Sequence, residues 1–136
     1  MKRNETRELA YQLVFEYMFN PDNDSTSKNM MFMLEEKLSD NDKAYIDKML
    51  DVIHEHYDEL KAYIAQFVTN FDVDRLFKAD LAVLLLAVAE IKYFDDIPVG
   101  VSIDEAVELS KKYSVENGYK FVNGVLGAIS KDIKEN

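Results

Sequence analysis

One uninterrupted apolar segment limits what this chain can fold into. It runs for nine residues, Leu81–Ala89, and is bracketed by Asp80 and Glu90. A membrane-spanning helix needs about 20 apolar residues, so this segment is too short to cross a bilayer. Because nearly every face of such a helix would be apolar, the segment predicts a central helix over residues 78–94 that other helices surround.

The rest of the sequence also has a helical hydrophobic period. In residues 5–19, apolar side chains recur one, four and five positions apart, which is the spacing of one helix face. Residues 42–70 contain neither glycine nor proline. They fit one long helix, or two helices with a kink near residues 54–58, and the sequence leaves both open. No segment shows sustained period-two alternation, so an all-α fold is predicted, with further helices at 27–38, 102–113 and 119–133.

Residues that begin or end helices mark the breaks between these segments. Pro21 ends the first helix, because proline disfavours the helical conformation of the residue before it. Ser39 offers a side-chain oxygen that can cap the next long helix. Ser102 and Glu105 fit a capping box, in which two side chains satisfy free backbone donors at a helix start. Gly124 and Gly127 lie three apart on one face, which predicts the close approach of another helix.

Composition argues against most catalytic chemistry. The chain has no cysteine, which excludes a disulfide framework, a cysteine-ligated zinc site, an iron–sulfur cluster and thiol catalysis. His54 and His56 lie about 200° apart around a helix and cannot ligate one metal together. The sequence has no nucleophile elbow, phosphate-cradling glycine loop or dinucleotide fingerprint. We therefore expect a protein that is not an enzyme and that uses no cofactor, metal or small-molecule substrate.

Charge is unevenly distributed along the chain. The 16 basic and 26 acidic residues give a net charge of −10, which opposes a general attraction to nucleic acid. The acidity is concentrated in residues 21–60, whereas residues 1–20 and 101–136 are close to neutral and could face an anion. No targeting or membrane segment is visible, so a cytoplasmic location is expected.

An ordered series of motifs resembles a known family. The strings are DLAVL from Asp80, DIP from Asp96, IDEAVELSKKY from Ile103 and KFVNGVL from Lys120, with RELAYQLVF from Arg7 near the N-terminus. Their order and spacing resemble the NusB family of bacterial transcription antitermination factors. The resemblance covers nearly the whole chain and is weakest over residues 20–60.

The resemblance implies two small helical bundles packed at an angle around the central apolar helix, the first over about 1–70 and the second over about 71–136. It also implies binding of the boxA segment of single-stranded ribosomal RNA leader transcripts, together with the ribosomal protein NusE. Such a complex joins RNA polymerase and other Nus factors and suppresses termination. The main alternative is a helical protein-interaction adaptor with weak or lost RNA binding. A third is the RNA-binding part of a ribosomal RNA methyltransferase, disfavoured because no methyl-donor glycine motif is present.

The resemblance also suggests which residues contact the two ligands. Basic groups would neutralise phosphates, aromatic rings would stack on unpaired bases, and a helix start would offer free backbone donors. The RNA-binding candidates are Lys2, Arg3, Arg7, Phe15, Asn117, Lys120 and Phe121. Acidic side chains would attract a basic ribosomal protein, and the partner-binding candidates are Asp80, Glu90 and Glu105. Solvated helix starts, core packing and capping are the structural alternatives for these residues.

Overall fold

Helices make up almost all of the described structure. The computed structural model describes residues 1–22, 32–68 and 73–135. These residues contain no strand, which confirms the predicted all-α class. The α-helices are α1 (Arg3–Phe19), α2 (Asp40–Ala65), α3 (Lys78–Tyr93), α4 (Val99–Tyr113) and α5 (Gly118–Glu135), with 3₁₀ turns at Glu35–Lys37 and Val73–Arg75.

Helix α3 is the centre of the fold. It packs against α1, α2, α4 and α5, and the apolar residues 81–89 are at most 2% exposed. This confirms the predicted central helix. Helices α1 and α2 pack on each other and on α3, and α4 and α5 likewise pack on each other and on α3. The predicted division into two bundles near residue 70 falls within residues 69–72, outside the described part, and stays a prediction.

Helix α2 begins at a capping box and contains a kink. The Asp42 backbone N–H donates to Ser39 Oγ at 3.1 Å, and the Ser39 backbone N–H donates to Asp42 Oδ2 at 2.9 Å. Two otherwise free donors are thereby satisfied, which confirms the cap at Ser39. The backbone of His56 leaves the helical region, with φ of −117° and ψ of 17°. The kinked alternative for this long segment is therefore the one observed.

Helix α4 begins three residues earlier than the sequence predicts. Its first residue is Val99, and Pro98 precedes it with φ of −59° and ψ of 141°. Proline suits a helix start, because its fixed φ and missing N–H cost little there. The predicted capping box at Ser102 and Glu105 is therefore wrong. Ser102 is buried one turn inside the helix, where its hydroxyl donates to the carboxylate of Glu90 at 2.9 Å.

The join between α4 and α5 needs a glycine at one position. A Cβ added at Gly118 would lie 2.1 Å from Ser114 Oγ and 2.9 Å from its Cβ. By contrast, nothing lies within 4 Å of a Cβ added at Gly124 or Gly127. The predicted close approach of a helix at those two glycines is wrong, because both are exposed.

The predicted second helix lies only partly within the residues that the structure describes. The predicted helix over 27–38 begins in residues 23–31, outside the described part; within that part, residues 32–34 are helical and lead into the first 3₁₀ turn. Across residues 1–22, 32–68 and 73–135, no helix is long and apolar enough to cross a membrane. The same residues hold no group of three or more histidine or acidic side chains that could bind a metal ion.

Candidate nucleic-acid interface

A buried ion pair joins α1 to α3. Arg7 donates through Nε to Glu90 Oε2 at 2.6 Å and through Nη2 to Glu90 Oε1 at 3.1 Å. The side chains of Arg7 and Glu90 are 4% and 1% exposed. Buried charges are tolerated when they are paired and hydrogen-bonded, as here. The predictions that Arg7 contacts RNA and that Glu90 contacts a partner do not fit this burial, since neither charge reaches solvent.

Tyr45 also contacts the buried ion pair. Its hydroxyl donates to Glu90 Oε2, and burial together with the Glu90 carboxylate raises the pKa of Tyr45. The tyrosine therefore stays neutral and remains a donor. The guanidinium of Arg3 lies 4.7 Å from the centre of the Tyr45 ring. Arg3 and Lys2 are both exposed, so these two members of the predicted basic cluster can still reach a phosphate.

A row of aromatic rings runs along α1 and continues to Tyr113 at the end of α4. The ring centres of Tyr113 and Tyr11 are 4.8 Å apart, those of Tyr11 and Phe15 are 6.4 Å apart, and those of Phe15 and Phe19 are 5.0 Å apart. Tyr11 is buried, and its hydroxyl donates to the carbonyl of Ala79 at 3.3 Å. Phe15 and Tyr113 are half-buried, whereas Phe19 is 54% exposed. These three accessible rings offer stacking surfaces for unpaired bases.

The last turn of α4 brings polar groups beside this row. The Tyr113 hydroxyl donates to the carboxylate of Glu8, and Lys112 forms an ion pair with the same carboxylate. Gln12 Nε2 donates to the Tyr113 hydroxyl oxygen at 3.0 Å. The hydrogen bonds from Lys112 and Tyr113 hold the pKa of Glu8 below its ordinary value. Lys112 and its neighbour Lys111 are exposed, so the row is flanked by positive charge.

The start of α5 follows directly from the end of α4. Asn117 has a φ of 67°, a conformation that asparagine tolerates better than most residues, and it is exposed. Lys120 is exposed as well, whereas Phe121 is half-buried and packs against the core. Lys111 Nζ lies 5.2 Å from the centre of the Tyr119 ring, which connects the two helices at their surface.

Residues of α1, of the end of α4 and of the start of α5 form one candidate surface, which we call the RNA-candidate face. It combines half-buried or exposed rings with exposed amide and ammonium groups on α1, the end of α4 and the start of α5. Of the predicted RNA-binding residues, Arg7 alone is withdrawn from solvent. The face consists of Phe15, Phe19, Lys111, Lys112, Tyr113, Asn117, Lys120 and Phe121.

Sequence reasoning missed the contribution of α4 to this face. Lys112 and Tyr113 stand in a family-like string, but nothing local links them to Glu8 and Gln12, about 100 residues earlier. Only the packing of α1 and α4 around α3 brings the two pairs together. The spacing of Glu8 and Gln12, one helical turn apart, was the available signal for a polar stripe on α1.

The predicted partner-contact carboxylates differ in accessibility. The Glu105 side chain is 34% exposed and lies 3.9 Å from Arg7 Nη1. Asp80 is 6% exposed, close to Ser114 where α4 meets α5. Burial raises the pKa of Asp80, because a charged carboxylate is costly away from water. Direct surface contacts by Asp80 and Glu90 therefore do not fit the structure, whereas Glu105 can reach a partner.

Comparison with known proteins decides the family. The family model described as the NusB family matches residues 4–131. The chain belongs to the NusB family. The transcription antitermination protein NusB of Natranaerobius thermophilus is 36% identical over 137 residues, which is 99% of each chain. The NusB family is a family of transcription antitermination factors and not a family of enzymes.

Solved structures of the family have the same fold. A crystal form of NusB from T. maritima superposes with a TM-score of 0.87 at 30% identity, covering 96% of this chain and 92% of that one. The crystal structure of the antitermination factors NusB and NusE in complex with dsRNA gives a TM-score of 0.80 at 29% identity, with 96% of both chains covered. The resemblance drawn from the sequence motifs is thus confirmed.

Proposed function

We propose that this chain binds the boxA segment of ribosomal RNA leader transcripts together with NusE. The resulting complex would join RNA polymerase and other Nus factors in the cytoplasm and suppress termination. Family membership supports the proposal, as does the related NusB that was crystallised with NusE and RNA. The observation on which it rests most is the RNA-candidate face, where accessible rings lie beside exposed lysines.

The chemistry of this face favours an unpaired strand. Phe15 and Tyr113 offer rings to bases that are not already stacked in a duplex. Lys112 can exchange its ion pair with Glu8 for an RNA phosphate, and Lys120 stands at a helix start whose dipole favours an anion. Bases and phosphates of one strand would thereby be held by different groups on the same surface.

Affinity of the isolated protein for RNA should be low. Arg7 is neutralised internally, and the net charge of −10 opposes the approach of phosphates. With two to four phosphates neutralised, the slope of log K against log salt should be roughly −1.5 to −3 for a single strand. A basic partner such as NusE would add positive charge and a second surface. We propose that the accessible carboxylate of Glu105 lies on the side that receives it.

Lys120→Gln should weaken boxA binding by about fivefold near 0.1 M salt, the effect of losing one phosphate contact. Lys131→Gln is the matched control. It removes the same charge from the same face of α5, but three turns further on, about 16 Å away and beyond the Debye length. Fluorescence anisotropy of labelled boxA RNA should show a change below about twofold for this control.

Equal losses in the two lysine variants would mean that RNA responds only to overall charge, and the RNA-candidate face would then have no specific role. The adaptor alternative has one observation in its favour, namely the burial of Arg7 in a protein that is already strongly acidic. The adaptor alternative predicts that the parent protein has negligible affinity for boxA RNA. Neither lysine variant should then change that affinity.

A further inference from the structure

A groove between the end of α1 and the middle of α2 is not used by the proposed RNA site. Its volume is about 470 Å³, within the range of sites that bind small molecules. Its walls combine aromatic rings with carboxylates. The groove is lined by Tyr17, Met18, Pro21, His54, Glu55, Tyr57, Asp58 and Glu59.

Three rings form one wall of this groove. The ring centres of Tyr17 and Tyr57 are 5.4 Å apart with an interplanar angle of 67°, and those of Tyr17 and His54 are 5.9 Å apart at 76°. Such edge-to-face contacts hold rings in defined positions. Each ring is braced by its neighbour, so the wall presents preformed aromatic surface.

The remaining wall is acidic. Glu55, Asp58 and Glu59 line the groove, and among the lining residues that the structure describes there is no lysine or arginine. The side chains of Glu55 and Glu59 are 74% and 73% exposed. His56, at the kink of α2, stacks on Tyr93 with ring centres 4.7 Å apart, and its Nδ1 lies 3.3 Å from Glu59 Oε2. The kink therefore turns His56 towards α3, while the carboxylates on either side of it border the groove.

We propose that this groove receives an arginine side chain from a basic segment of a partner polypeptide. A guanidinium stacks on aromatic faces while its N–H groups bind carboxylates, and its methylene stem packs on apolar atoms such as those of Met18. The sequence supports a polypeptide as the source, because the segment 21–60, to which most of the described lining residues belong, carries a net charge of −7. This field attracts a basic chain and repels RNA.

The preference for arginine over a metal ion follows from the same residues. The described part of the chain holds no cluster of acidic and histidine side chains with the arrangement that a metal ion needs. Rings and exposed carboxylates bind a weakly hydrated, planar cation better than a small, strongly hydrated one. The inference is independent of the proposed RNA binding, since the two surfaces share no residue.

The test uses the full chain and two short peptides, one rich in arginine and one in which citrulline replaces every arginine. Binding is followed by two-dimensional amide NMR. The arginine peptide should shift the amides of residues 17 and 54–59 in a saturable manner, and the citrulline peptide should not. The double variant Glu55→Gln with Glu59→Gln should lower the affinity for the arginine peptide by about fivefold, as expected for the loss of two exposed charge contacts.

The matched control is Asp104→Asn with Glu108→Gln. It removes the same charge at the same i, i+4 spacing from exposed positions on α4, which does not line the groove. Its effect should stay below about twofold. Equal weakening by both double variants, or shifts spread outside the groove, would overturn the proposal. Equal affinity for spermidine and for the arginine peptide would overturn the assignment to a polypeptide.

Discussion

Glu90→Leu should lower the free energy of unfolding by about 3–5 kcal/mol, because it leaves the guanidinium of Arg7 buried without its carboxylate. The hydroxyls of Tyr45 and Ser102 lose the same acceptor. Leucine is close in volume to glutamate, so lost packing contributes little. Urea denaturation followed by circular dichroism measures the change.

The double variant Arg7→Leu with Glu90→Leu separates charge from packing. Replacing both partners by apolar residues removes the unpaired charge, so the double variant should be more stable than Glu90→Leu alone. Glu108→Gln is the control, since it breaks an exposed pair with Lys111 at 3.4 Å and should cost less than about 1 kcal/mol. A loss below 1 kcal/mol in Glu90→Leu as well would show that the internal ion pair does not hold α1 on α3.

Leu84→Asp should lower the free energy of unfolding by at least about 4 kcal/mol, which is expected to prevent stable folding near body temperature. Leu84 is fully buried in α3, the helix that packs against α1, α2, α4 and α5, so an aspartate carboxylate there would be cut off from water. Leu84→Met keeps the volume and should cost less than about 1.5 kcal/mol. Thermal unfolding compares the two, and equal melting temperatures for Leu84→Asp and the parent would contradict the central position of α3.

The helices themselves could be predicted from the sequence because their signals are local. The apolar period places α1 and α3 within a few residues, and Ser39 marks the start of α2. The start of α4 was mispredicted because two local signals compete there. Ser102 resembles a cap, but Pro98 begins the helix, and the Ser102 hydroxyl is taken by Glu90 from another helix.

The candidate site was less predictable, because its geometry depends on pairs that are distant in sequence. Charged residues are seldom fully buried, so Arg7 and Glu90 are reasonably expected at the surface. Their pairing across 83 residues becomes visible only once α1 lies on α3. The position of Glu90 at the end of a nine-residue apolar run was the one hint that this carboxylate is internal.

Joint binding of RNA and NusE tests the central claim most directly. Labelled boxA RNA and a scrambled strand are titrated with this protein, with NusE and with both, at two salt concentrations, and fluorescence anisotropy is recorded. The account predicts that the pair binds boxA more tightly than either component and prefers it to the scrambled strand by at least about tenfold, within the range of specific over non-specific binding. No gain from NusE, or equal affinity for the two strands, would contradict it.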